Sequence, residues 1–333
     1  MPSQEHAEDW GEAVAMQAYV ARRLLALIPT LLFASFIVFS TVRLIPGDII
    51  DLMLSQNDIG ANKLSRDQLV AALGFDKPVW EQYLHWIGGI LFGADFGRSL
   101  WQNVPVRDLL FARLPVTFEL GFLALIVGLL VAIPIGVYSS IRQDTAGDYV
   151  TRSFSILMLA IPSFWMGTMV MVFPSIWWGW SPQVKYIGFV TDPIQNLKQM
   201  IVPAIILGCA LSAVSMRLTR TMMLEVLRQD YIRTAWAKGL GERRVVTRHA
   251  LRNALIPVVT LVGLQAPLLI GGAVIMEQIF VLPGMGLLLL DAVNSRDYPI
   301  ITGVFLIVGV AIMLINLIVD LSYGLLDPKV RLR

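Results

Sequence analysis

"LGFLALIVGLLVAIPIGVYSSI", residues 120–141, contains no Asp, Glu, Lys or Arg. At about 1.5 Å per residue, a helix of this length covers the roughly 30 Å hydrocarbon core of a bilayer. Five other runs are equally free of charge: Leu24–Val42, Ser153–Trp178, Gln199–Met216, Asn253–Met276 and Tyr298–Val319. Only 15% of the chain is charged, against about 25% in a soluble domain. The expected fold is therefore all-α: a polytopic membrane protein with six transmembrane helices. Pro29, Pro134, Pro162, Pro203 and Pro267 fall inside these runs, which membrane helices tolerate when neighbours satisfy the freed carbonyls. The third run ends in "PSIWWGW" (174–180), whose tryptophans suit the headgroup level.

Charge in the short connections sets the orientation. Residues 142–152 and 217–252 together hold eleven Lys or Arg, while 179–198 and 283–297 hold three. The positive-inside rule then places the basic loops and both termini in the cytoplasm. The expected organisation is a cytoplasmic tail at 1–21, a membrane domain at 22–328 and a second tail at 329–333. The first 18 residues carry four acids and no Lys or Arg, which is not the pattern of a secretory signal.

The connection 43–119 faces outward in this topology and carries its own helical signals. "LSRDQLVAALG" (64–74) offers Ser65 as N-cap, Gln68 three positions later and Gly74 as a stop. "KPVWEQYLHWIGGILFG" (77–93) sets Trp80, Tyr83 and Trp86 at near-helical spacing. This extracytoplasmic helical loop reads either as an amphipathic cap on the outer leaflet or as a surface for an external partner. Ala124, Gly128, Ala132 and Gly136 recur every four residues, a small-residue face that serves tight packing in the bundle or a subunit interface.

Several chemistries are missing. No GxxxxGK[ST] phosphate loop, HExxH or CxxC occurs, and Cys209 is the single cysteine. His6, His85 and His249 lie outside the central spans, so an intramembrane Ser–His hydrolase lacks its base. Glu119, Glu277 and Asp320 sit at span ends, where the headgroup region solvates an acid, so the buried coupling acids of proton-driven carriers are not evident. No catalytic residue, cofactor, metal site or nucleic-acid partner is expected, and the driving energy comes from elsewhere.

Residues 231–253, "YIRTAWAKGLGERRVVTRHALRN", place six Lys or Arg against the single acid Glu242 between two apolar runs. Ile232, Ala235 and Trp236 share a helical face before Gly239-Leu240-Gly241, and Arg244, Arg248 and Arg252 share one after it. Two short helices around a glycine turn make a compact knob. Alone, the pattern suits an anchor to anionic lipid, or a scaffold or receptor whose basic loop binds a signalling protein, as well as it suits a docking element.

The same stretch resembles the cytoplasmic loop of ABC importer permeases, whose pattern is Glu-Ala-Ala, three residues, Gly, nine residues, Ile-x-Leu-Pro. Ala235, Gly239 and Leu251 match; Arg233 and Thr234 replace the Glu and first Ala, while His249 and Arg252 replace the Ile and Pro. "RTAWAKGLGERRVVTRHALRNALIP" (233–257) is similar throughout to the dipeptide, oligopeptide and nickel importer subclass. So are "RLLALIPTLLFASFIVFSTVRLIPGD" (23–48), "LPVTFELGFLALIVGLLVAIPIGV" (114–137) and "EQIFVLPGMGLLLLDAVNSRDYPI" (277–300). The likeness extends from about Arg22 to Pro328 and points to the first permease of a pair.

The resemblance implies a permease forming half of a translocation pathway in the cytoplasmic membrane of a bacterium or archaeon. Its partners would be a second, homologous permease, two cytosolic ATP-binding subunits, an extracytoplasmic solute-binding protein and the bilayer. ATPase coupling falls on Ile232, Arg233, Thr234, Ala235, Trp236, Gly239, Leu240, Gly241, Glu242, Arg243, Arg244 and Arg248. Glu277, Pro283 and Gly284 are weaker candidates for an outer gate, the alternative for Glu277 being a headgroup-level acid paired with a nearby base. Ser212, Ser215, Gln265 and Asn316 are polar groups inside spans, candidates for interhelical bonding or for the solute pathway. The solute is not named by the sequence.

Overall fold

In the computed structural model the described residues are 22, 24–42, 70, 76–179 and 186–326. The Ser65–Gly74 helix signal and both expected tails lie outside them. The described residues form ten helices: α1 Leu24–Val42, α2 Val79–Gly93, α3 Val106–Ile141, α4 Ala146–Ala160, α5 Ser163–Trp178, α6 Pro193–Leu227, α7 Asp230–Ala237, α8 Glu242–Ile279, α9 Met285–Ser295 and α10 Tyr298–Leu326. Among them the one β-type pairing is an isolated bridge between Arg98 and Pro105. The fold is all-α and polytopic. Five helices are long and apolar enough to cross a membrane, or six when α4 and α5 count as one bent span.

That bent pair departs from the expectation. Residues 153–178 read as one apolar span, but the chain turns by 91° between α4 and α5. Ile161 takes an extended conformation (φ −87°, ψ 120°) before Pro162, which caps α5. The proline ring disfavours the helical region for the residue before it, and Ile161 yields. Elsewhere the helices overrun the charge-free runs. α6 begins at the N-cap Asp192, whose carboxylate accepts from Ile194 and Gln195 N–H at 3.1 Å, and it continues past the charged Arg217 and Arg220.

The chain divides into two compact units. The larger takes Pro115–Leu287 and the part of α10 from Ile312. Its core joins α3, α6 and α8 through Val116, Leu120, Ala124, Met200, Leu207, Leu269 and Met276. The small-residue face of α3 lies against α6. A Cβ on Gly136 would sit 2.8 Å from the Met216 carbonyl oxygen, and one on Gly208 of α6 would sit 2.7 Å from the Ala124 carbonyl oxygen. Backbones approach this closely only where side chains are absent, and without a hydrophobic driving force in lipid such contact is what holds helices together.

The smaller unit takes the described residues of 22–114 with 288–311. There α2 lies against α1: Tyr83 packs edge-on against Phe36 and Phe39, Trp86 lies tilted against Phe39, and the Tyr83 hydroxyl donates to the Leu32 carbonyl at 3.0 Å. In the same unit Asp297 accepts from the Ser99 hydroxyl and the Leu100 N–H, at 2.6 and 3.1 Å, tying the 99–101 turn to the residues before α10.

Candidate functional site

The 230–253 segment builds its own core. Ile232 and Ala235 of α7 turn inward onto Val245, Val246, Ala250 and Ala254 of α8 and Met223 of α6, all of them buried. α7 ends in a Schellman motif: the Gly239 N–H bonds the Trp236 carbonyl at 2.9 Å, the Leu240 N–H bonds the Ala235 carbonyl at 3.4 Å, and Leu240 packs back on the cluster. The motif needs a left-handed residue, and Gly239 supplies φ +76° without the Cβ penalty.

After the turn α8 begins at Glu242 and runs through a π-helical segment, Val245–Ala250. In that winding, residues five apart fall on one side, so Val245 and Ala250 both face Ile232. Spacing at 3.6 residues would have carried one of them away. Val245, Val246 and Ala250 are buried while Arg244 and Arg248 of the expected arginine face are exposed, but the π winding had no signal in residue types alone.

The inward set includes two residues of the expected docking face. Ile232 and Ala235 are fully engaged within the knob and are not at its surface. What remains outward is Tyr231, Arg233, Thr234, Trp236, Lys238, Gly241, Glu242, Arg243, Arg244 and Arg248, with Leu240 half-buried beside them. Tyr231 was not singled out by the sequence; its hydroxyl accepts from Asn253 Nδ2 at 2.7 Å and pins α7 to α8. Arg233 and Asp230 approach to 3.6 Å with both side chains in solvent, a geometry that adds little. The surface therefore offers two large aromatic rings at its edge and a field of exposed positive charge.

A second site forms around Glu277, near the end of α8. The carboxyl group is fully buried rather than solvated at a span end. Oε1 accepts from the Thr117 hydroxyl, and Oε2 accepts from the N–H groups of Gly286 and Leu287 at 2.7 and 3.1 Å. Thr117 in turn accepts from the Met285 N–H at 2.8 Å. Glu277 and Thr117 thus cap the open amides of α9, where a negative charge is favoured by the helix dipole. The turn between is tight: Val281 has φ +52°, and a Cβ on Gly284 would lie 2.1 Å from Glu277 Cδ. Glu277, Pro283 and Gly284, grouped by the sequence, are brought together as an acid and the turn that wraps it.

The expected polar pathway is only partly assembled. Gln265 reaches Ser215 at 3.5 Å, and both belong to the packed α6–α8 region. Ser212 bonds the carbonyl of Cys209 within its own helix at 2.8 Å, and Asn316 is exposed on α10. Glu119 likewise leaves its expected solvated position: Tyr186 and Asn196 each donate to its Oε2 at 3.3 Å. Burial, reinforced by the Glu119 charge, pushes the Tyr186 phenol up to about 12.

One ion pair had no sequence signal. Asp148 is fully buried and accepts from Arg220 Nε and Nη2 at 2.9 and 2.8 Å, from the Ser139 hydroxyl and from the Asp144 N–H. Its position three residues after the N-cap Thr145 makes it look like an ordinary first-turn acid. In the fold it locks α4 to α3 and α6.

Residues 132–332 match the family described as the binding-protein-dependent transport system inner membrane component, and residues 16–121 match that family's N-terminal region. The dipeptide transport system permease protein DppB of Escherichia coli (strain K12) is 39% identical, with 95% of this chain and 99% of that protein aligned. The oligopeptide transport system permease protein AppB of Bacillus subtilis (strain 168) is 40% identical over the same shares. Among solved structures, an inward-facing conformation of the MetNI methionine ABC transporter has a similar fold at 16% identity, with a TM-score of 0.53, covering 66% of this chain and 96% of that one. The chain belongs to the binding-protein-dependent transport system inner membrane components: it is a multi-pass inner-membrane permease subunit of an ABC importer.

Proposed function

We propose that this permease carries di- or oligopeptides and is driven through the α7–α8 knob. The solute class rests on the dipeptide and oligopeptide relatives aligned over nearly the full chain. In this reading a solute-binding protein delivers peptide to a pathway shared with a second permease. Two cytosolic ATP-binding subunits hydrolyse ATP, so this chain performs no catalysis. Both termini and the knob face the cytoplasm, following the concentration of Lys and Arg in 217–252.

One observation carries the coupling role. The knob is stiffened by its own buried cluster and still exposes Tyr231, Trp236 and the arginines. A joint that transmits force needs that combination: a rigid body, aromatic anchors to fill a groove on the partner and charges that set register. Ile232 and Ala235 serve the joint by holding it rigid, whereas Trp236, Arg243, Arg244 and Arg248 meet the partner.

Replacing Trp236 with Cys and treating the membrane-embedded transporter with a short thiol cross-linker tests this. The expected product joins this chain to an ATP-binding subunit, in an amount that changes when nucleotide is added. A transporter that imports peptide yet gives no such product from Trp236, Lys238 or Arg243 positions overturns the coupling role. Import of no peptide by the assembled system, with cross-links intact, overturns the solute class alone.

A further inference from the structure

A cavity of about 250 Å³ opens among α3, α4 and α6, apart from the knob and from Glu277. Arg152, Ser155 and Ile156 of α4 face Arg217 and Arg220 of α6 across it, and Ser139 of α3 closes it. The charges do not balance. Arg220 is held by Asp148 in a two-pronged pair, so that arginine forms a neutral wall. Arg152 and Arg217 are exposed, and neither is ion-paired among the described residues. The cavity therefore has two guanidinium groups with no carboxylate partner among the described residues, Arg152 lying 5.7 Å from the centre of the Tyr149 ring.

The other polar groups leave those guanidiniums as the donors. Thr151 gives its hydroxyl proton to the Asp148 carbonyl at 2.9 Å, and Thr221 gives its own to the Arg217 carbonyl at 3.0 Å. Hydroxyls bound in this way present lone pairs to the cavity. A cation would be repelled by the arginines and a neutral solute would leave them unmatched. A phosphate suits them, because the planar guanidinium fork matches its oxygens.

The surroundings indicate where the phosphate comes from. On α4, next to the arginine, Ile156 and Leu157 are 62% and 52% exposed, and Val150 is 68% exposed. In a membrane-spanning chain such residues form a track for acyl chains, and a basic cavity between spans is the usual seat of an anionic headgroup. We propose that this cavity binds the phosphate of an anionic phospholipid, with Arg152 and Arg217 clasping the headgroup and its acyl chains lying along Ile156 and Leu157. The proposal needs only the membrane-spanning fold, and stands apart from the peptide and coupling assignments.

The test uses the intact transporter, delipidated in neutral detergent and read by native mass spectrometry after adding phosphatidylglycerol, phosphatidylcholine or inorganic phosphate. Wild type retains phosphatidylglycerol and not phosphatidylcholine. The double variant Arg152→Gln/Arg217→Gln retains it roughly 30-fold less tightly, in line with the loss of two basic residues at a lipid surface. Arg228→Gln, an exposed arginine outside the cavity, binds as wild type does. Equal retention by wild type and the double variant overturns the proposal. Displacement of the lipid by equimolar inorganic phosphate overturns the lipid as the occupant in favour of a soluble phosphate. Arg220 is left intact throughout, since its loss would strand the buried Asp148.

Discussion

Two acids show how much a buried carboxylate depends on its immediate partners. Asp148 is satisfied by a guanidinium, a hydroxyl and a backbone amide. Removing the base while leaving the acid buried costs about 3–5 kcal/mol in such pairs. Arg220→Ala should therefore lower the midpoint of thermal unfolding in detergent strongly. Arg220→Gln combined with Asp148→Asn should recover part of the loss, because no net charge is then stranded. Additive losses in the double variant would show that the pair acts through packing instead. Glu277 is held by hydroxyl and amide donors, so its replacement should act locally. Glu277→Ala should speed hydrogen exchange at Gly286 and Leu287 while leaving the α3–α6 core protected. Gly284→Ala should do the same through its clash with the carboxyl group; slow exchange in both variants would remove the capping role.

At the scale of the element, the glycine turn and the proline bend are the informative cases. Gly239 holds a left-handed conformation that L side chains adopt at a cost of roughly 1–2 kcal/mol, and that proline cannot adopt at all. Gly239→Pro should leave the permease inserted while separating ATP hydrolysis from transport, measured as substrate-stimulated hydrolysis against uptake at matched membrane levels. Gly239→Asn should retain most coupling, since Asn tolerates this conformation. Equal uptake by the proline variant would mean that the turn is not part of the joint.

The bend at Pro162 shows where reading the sequence stops. Pro115, Pro134, Pro203, Pro257 and Pro267 all sit inside continuous helices, so a proline in an apolar run does not by itself end a helix. What decides is whether neighbours can satisfy the freed carbonyl, and that is a tertiary fact. The π winding at Val245–Ala250 escaped for a related reason: it is set by the need to face Ile232 and Met223, which no local pattern states. By contrast, the charge-free runs, the glycine turn and the arginine face at Arg244 and Arg248 follow from spacing and polarity, and were legible.

For the whole molecule, close contact between α3 and α6 does what the hydrophobic effect does in soluble proteins. Gly136 and Gly208 each lie where a side chain would strike opposing backbone. Gly208→Val should therefore abolish accumulation of the folded permease, seen as loss of a monodisperse detergent-extracted species. Gly179→Ala, at a glycine with open space around it, should be tolerated far better despite its turn conformation. Equal yields would mean that this helix contact does not support the larger unit. The apolar runs announced the membrane-crossing candidates, five or, with α4 and α5 as one bent span, six, but the identity of the contacting faces came only from seeing which small residues met.

α8 is one helix of 38 residues, about 57 Å of rod at 1.5 Å per residue. It starts at Glu242 in the knob, and Glu277 lies two residues from its other end. Under the proposed coupling, this helix acts as a lever arm whose handle is the arginine-studded knob and whose far tip grips the amides of α9. A swing of about 5° at the handle carries the tip by about 5 Å, close to a full helical pitch. That travel is far more than the Glu277 hydrogen bonds can stretch, so the tip must either drag α9 with it or let go.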